Sequence, residues 1–128
     1  MTLFRGVAYE YSAGAGGLLF TAGACPLNAE GKVVGIDDLE AQAAAATDNL
    51  LEALHEAGSG AQSLVKTTIY VVGRDRDDLV RVWQVVSARL GRTPSTLLGV
   101  SLLGYPDQLV EIEAIASLTP ATESASGR

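Results

Sequence analysis

The residues best placed to do chemistry are two carboxylates, Glu111 and Glu113, which alternate with Val110, Ile112 and Ala114 near the C-terminal end. Side chains along a strand point to opposite faces in turn, so this spacing predicts one apolar face and one carrying both glutamates. The run is short and rich in β-branched residues, which places it inside a sheet, where a carboxylate needs a partner or a ligand. Upstream, Ser95 and Thr96 begin a second extended segment, residues 95–103, and their hydroxyls can hydrogen-bond a neutral polar ligand. No histidine is near them in sequence, which argues against a serine nucleophile. Tyr105 stands in the connecting turn Gly104-Tyr105-Pro106-Asp107, from which it can overhang a cleft.

Other chemically suggestive residues read as structural. Cys25 precedes Pro26 in a loop, with no cation or helix N-terminus to lower its pKa, and is expected as a small buried thiol. A single cysteine allows no internal disulfide and fits a reducing cytoplasm. His55, the only histidine, is expected on the surface late in a helix, and no zinc site is expected from one histidine and one distant cysteine. Trp83 recurs at helical spacing with Leu79 and Val86 and reads as core. The glycines at 14, 16 and 17 precede a strand, LLFTAG, whereas a phosphate loop follows a strand and opens a helix.

These residues need a scaffold. Residues 4–11 and 17–22 read as strands joined by a glycine-rich turn at 12–16. Asp37 or Asp38 caps a helix running to about Ala57, with Leu39, Ala43, Ala46, Leu50 and Leu54 on one stripe and Gly58 at its end. Residues 64–72 form the clearest strand, with Val65, Ile69 and Val71 on one side and Tyr70 and Val72 on the other. A second helix opens at 75–78 and ends near Leu90, its buried stripe being Leu79, Val82, Trp83, Val86 and Leu90. In residues 95–103, Thr96, Leu98, Val100 and Leu102 alternate with Leu97 and Leu103, and residues 109–117 form the last strand. The order ββ-α-β-α-ββ implies an α+β fold, one sheet with both helices on one face. Strands apolar on both faces are covered on both, so the opposite face is expected to pack on neighbouring subunits.

With 128 residues, 48% of them hydrophobic and 19% charged, the chain is expected to form one folded domain over residues 1–118, followed by a small, polar, disordered tail at 119–128. The net charge of −6 argues against a nucleic-acid footprint, which would be basic. No apolar run reaches the roughly 18 residues of a membrane span, and no basic start precedes a long apolar stretch, so a cytoplasmic protein is expected.

VEIEAIA at 110–116, VKTTIYV at 65–71, Gly23 and Pro26 after the second strand, and Gln42, Asn49, Leu54 and Gly58 on or after the first helix form an ordered set. In that order and spacing the chain resembles the RidA family (YjgF/YER057c/UK114) over almost the whole folded region. The resemblance implies a chorismate-mutase-like fold and a homotrimer whose sheets form a central barrel with three inter-subunit clefts. It also implies hydrolysis of enamines and imines to 2-oxo acids and ammonia, without metal or cofactor. By that likeness Glu111 falls on the glutamate that activates water, Tyr11 (with Tyr9 a rival) on a cleft tyrosine, and Gly23 on a cleft glycine. Ala22 stands where the family has a serine, and Ser95 where it has the arginine that clamps the substrate carboxylate. Arg92 lies three residues earlier, where only a displaced loop brings it to the cleft rim. The expectation is therefore a deaminase-type hydrolase of a divergent branch, its small substrate less charged or bulkier than an amino-acid imine and bound by Tyr11, Gly23, Ser95, Thr96 and Tyr105. A non-catalytic small-molecule-binding trimer is the alternative, and RNA cleavage is disfavoured by the acidity.

Overall fold

Both helices begin where the sequence supplies a capping aspartate. In α1 (Leu39–Glu56) the Asp38 carboxylate accepts the Ala41 N–H, and in α2 (Arg76–Leu90) Asp75 does the same for Asp78. Each satisfies an amide that has no partner inside its helix. At the other end of α1, Gly58 takes φ +82° and its N–H reaches His55 O, while Ser59 N–H reaches Leu54 O at 2.8 Å. That pair of bonds closes the last turn on its own carbonyls. The structure, a computed structural model, describes residues 2–118; the tail at 119–128 lies outside the described residues.

The five strands are β1 (Ser12–Ala15), β2 (Leu18–Thr21), β3 (Leu64–Val71), β4 (Ser95–Gly99) and β5 (Val110–Ser117), in the order β1-β2-β5-β3-β4. Only β3 and β4 pair in parallel, and α2 is the crossover that such a pair requires. β5 is the central strand, antiparallel to β2 on one side and to β3 on the other. Both helices pack on one face of this sheet. There Ile69, Val71, Val110 and Ile112 meet Leu50, Leu54, Val82 and Val86 in a single core. This α+β arrangement, one sheet with both helices on one face, is the one the element order implies.

Several details differ from the sequence reading. Residues 4–11 are irregular, not a strand, and the hairpin turn is Gly16-Gly17, both with positive φ. Two such residues make the two-residue turn whose twist matches a hairpin, so Ser12 to Ala15 are strand instead of loop. Val65 does not join Ile69 and Val71: a bulge between Leu64 and Lys66 turns it out, 44% exposed. β4 stops at Gly99 because its one neighbour, β3, stops at the paired Val71, leaving Leu102 in a loop at 83% exposure. Trp83 is 36% exposed, because Val82 and Val86 take the buried face of α2.

The face away from the helices carries Phe20 on β2; Glu111, Glu113 and Ile115 on β5; Lys66, Thr68 and Tyr70 on β3; and Thr96 and Leu98 on β4. Phe20 and Leu98 are each 43% exposed in the single chain.

Candidate functional site

Glu111 sits at the start of β5, directly across from Tyr70. Two loops enclose it. One leaves β2, where Ala24 exchanges both backbone hydrogen bonds with Ile112, and so delivers Gly23 and Cys25 beside the carboxylate. Cys25 Sγ lies 3.5 Å from Glu111 Oε1 and 3.4 Å from Gly23 O. A Cβ added to Gly23 would lie 2.0 Å from Glu111 Oε2, so the carboxylate takes the space that glycine leaves.

The other loop leads from β4 into β5 and is organised by Gln108, which is 4% exposed. Its Nε2 donates to Glu111 Oε1 at 3.2 Å and to Val110 O at 3.1 Å, while its Oε1 accepts the Tyr105 N–H at 3.1 Å. One amide thus fixes both the carboxylate and the turn that bears Tyr105.

Two buried side chains of α1 hold these loops from behind. Asn49 Nδ2 donates to Cys25 O and Leu27 O at 2.8 and 2.9 Å. Gln42 donates to Asp107 O at 2.8 Å and accepts the Leu109 N–H at 2.7 Å. Buried loop backbone needs such partners, which accounts for polar residues on the inner face of an otherwise alanine-rich helix.

Burial, and after it the charge of Glu111, pushes the Cys25 thiol up to about 12. At neutral pH it is therefore an S–H donor facing the carboxylate and not a thiolate nucleophile. Burial also raises Tyr9, and the neighbouring Tyr105 side chain raises it further. Tyr11 is raised by burial; its hydroxyl donates to Phe4 O, and its ring stands edge-on to Tyr9 at 5.9 Å. The tyrosine that reaches toward Tyr105 is thus Tyr9, with Tyr11 behind it.

The two hydroxyl residues of β4 separate. Ser95 Oγ is 2.6 Å from the Thr67 hydroxyl and donates to Thr93 O at 2.9 Å. Thr67 is 1% exposed and belongs to the helix-covered face, so Ser95 does not share the face of Glu111. Thr96 does share it, with its hydroxyl accepting from Lys66, but it pairs with Thr68 and so stands in the row of Glu113. The row of Glu111 is Glu111, Tyr70 and Leu98. Gly23, Tyr105 and Glu111 are brought together; Ser95 and Thr96 are not part of that cluster.

Gln108 escaped the sequence reading. A single glutamine just before a strand breaks no periodicity, and its one signal was a glutamate three residues on. Among the described residues no group of three or more His, Cys, Asp or Glu side chains could hold a metal ion, and no helix is long and apolar enough to cross a membrane.

The sequence profile of the family described as Endoribonuclease L-PSP matches residues 6–118. The chain belongs to this family. Among its relatives, a RutC family protein of Pyrococcus abyssi is 29% identical over 109 residues, 84% of each chain. One of Synechocystis is 32% identical over 113 residues, 86% of this chain and 85% of the relative. Among solved structures, YyfB of Yersinia pestis, from the conserved Rid protein family, has a TM-score of 0.72 at 36% identity, covering 80% of each chain. Rv2704 of Mycobacterium tuberculosis, a YjgF/YER057c/UK114 member, has a TM-score of 0.73 at 29% identity over 91% of this chain and 98% of its own. RidA-family membership and the fold inferred from VEIEAIA and VKTTIYV are thereby established.

Proposed function

We propose that the chain is a cofactor-independent hydrolase of small imines or enamines, with Glu111 as the base that activates water. The observation that carries this reading is the carboxylate fixed between Gln108 and Cys25 over Gly23. Preorganised acceptors of this kind suit proton abstraction from a bound water. Water adds its oxygen to the imine carbon as Glu111 takes its proton and passes it to nitrogen, giving a carbinolamine. Glu111 then takes the new hydroxyl proton and delivers it to the amine as the C–N bond breaks and the C=O bond forms, releasing ammonia and a carbonyl product. Tyr9 and Tyr105 form the aromatic side of the site. Leu98, across Tyr70 from Glu111, gives the row an apolar end, which favours substrates less charged than amino-acid imines.

The reading includes a homotrimer in which the Phe20, Leu98 and Ile115 face packs on neighbouring copies and the site lies between subunits. The family's description as an endoribonuclease points to RNA. Glu111 and Glu113, against the single cation Lys66 among the described strand residues of that face, favour a small molecule over a polyanion.

The test generates imines with an amino-acid oxidase and follows ammonia and 2-oxo acid release. Glu111→Gln should lower turnover by about 100-fold or more. Thr96→Arg, on the same face as Glu111, should raise activity on carboxylate-bearing imines. Rates no faster than the uncatalysed reaction for the wild type and for Thr96→Arg would reject the hydrolase and leave a binding protein of the same fold.

A further inference from the structure

We infer that the groove between the end of α2 and the start of β4 binds a small organic carboxylate with an apolar body. The groove, of about 620 Å³, is lined by Trp83, Ser87, Gly91, Arg92, Thr93 and Pro94. Its size falls within the range of small-molecule sites.

Its walls are fixed by the fold. Val82, Val86 and Leu90 anchor α2 to the core, which turns Trp83 and Ser87, one helical turn apart, outward on the same face. Gly91 then takes φ +77° and reverses the chain, so that residues 92–94 run back along the helix end. That segment is pinned to the sheet: Thr67 N–H donates to Pro94 O at 2.9 Å, and Ser95 donates to Thr93 O at 2.9 Å. A site with pinned walls loses little entropy on binding.

Its charge selects the occupant. Arg5, Arg74, Arg81 and Arg89 each hold a carboxylate of the chain, Arg89 being taken by Asp48 at 2.8 Å. Among the described arginines only Arg76 and Arg92 hold none, and of these two Arg92 lines the groove. An unpaired guanidinium on a chain of net charge −6 is an anchor for an external anion. Its planar fork fits a carboxylate with two parallel hydrogen bonds. The half-exposed indole of Trp83 offers an apolar wall beside it, and Ser87 adds a neutral hydroxyl. A carboxylate with a short hydrocarbon or aromatic body satisfies all three.

This site is distinct, within one chain, from the Glu111 cluster and stands whether or not that cluster is catalytic. Trp83 is the only tryptophan, so its emission reports the groove directly. The wild type is titrated with hexanoate, with butanoate, and with hexanamide as the uncharged match. Hexanoate should shift or quench the emission saturably, binding at least about tenfold more tightly than hexanamide, as expected for a charge-assisted pair. Butanoate should bind more weakly because it has two fewer methylenes to bury. Arg92→Gln should lose about tenfold or more in hexanoate affinity, with Arg92→Lys between the two, because lysine keeps the charge without the fork. Glu111→Gln should leave that affinity unchanged within about twofold, as expected for a site whose lining shares no residue with the Glu111 cluster. A response that does not saturate, equal affinity for hexanoate and hexanamide, or an Arg92→Gln variant that binds like the wild type would overturn the inference. Loss of hexanoate binding in Glu111→Gln would also overturn it, since the ligand would then belong to the Glu111 cluster.

Discussion

Glu111 and Glu113 are the same residue type on the same face of the same strand, two positions apart, yet the two ends of β5 treat them differently. At the Glu113 end the partner comes from the sheet itself: the Tyr70 hydroxyl donates to Oε2 at 2.8 Å. At the Glu111 end the partners come from loops remote in sequence, Gly23 and Cys25 after β2 and Gln108 before β5. A strand neighbour is what any sheet carboxylate can find. A pocket built by two loops, each held by a buried side chain of α1, is particular to one position. Strand pattern alone nominates both carboxylates, and the loops choose between them.

The sharpest way to break that difference is Gly23→Ala. Its new Cβ has nowhere to go but the Glu111 carboxylate, so overpacking should cost about 1–3 kcal/mol, read as a lower midpoint in urea unfolding. Gln108→Leu should follow at about 1–2 kcal/mol, because it leaves the part-buried Tyr105 N–H without its acceptor and takes from Glu111 Oε1 one of its two donors, the Cys25 thiol remaining. Catalysis through Glu111 should fall with it, while the Tyr70–Glu113 pair stays intact.

The third measurement uses Cys25, the only thiol. Folding holds its pKa at about 12, above that of a free thiol, so the neutral form is favoured. That contribution to stability is full below the free-thiol pKa and is lost as pH rises through about 12. Iodoacetamide should therefore label folded protein slowly at pH 9. Glu111→Gln removes the nearby negative charge but not the burial, and should speed labelling by up to about tenfold. Glu113→Gln should leave the rate unchanged. The smallest effect is expected at the sheet end, where Tyr70→Phe should cost about 1 kcal/mol and leave Cys25 labelling as it was.

What the sequence made legible was local or periodic. The aspartates at 37–38 and 75–78 and Gly58 marked the helix ends, because caps act within a few residues, and the structure selects Asp38 and Asp75. The alternation at 110–116 marked the central strand and the face of its carboxylates. Three features resisted. The hairpin slipped because five closely spaced small residues offered several turns, and only backbone handedness selects Gly16-Gly17. Trp83 reads as core from its helical spacing, yet spacing does not say how wide the buried stripe is, and the indole is 36% exposed. Ser95 and Thr96 look equivalent in the sequence because both are hydroxyl residues, and only the register with Thr67 and Thr68 shows which face each one takes. The Gln108 amide belongs to none of these patterns; its role depends on two loops meeting in space.

The placement of Gln42 and Asn49 has a consequence for how the protein fails. Both walls around Glu111 are tied to one rigid rod, α1, through Asp107, Leu109, Cys25 and Leu27. The pocket thus has no hinge of its own and cannot loosen while the helix stays docked. On heating, the loss of the carboxylate's setting and the loss of the helical signal should trace a single transition, with no window in which a folded chain carries a broken site.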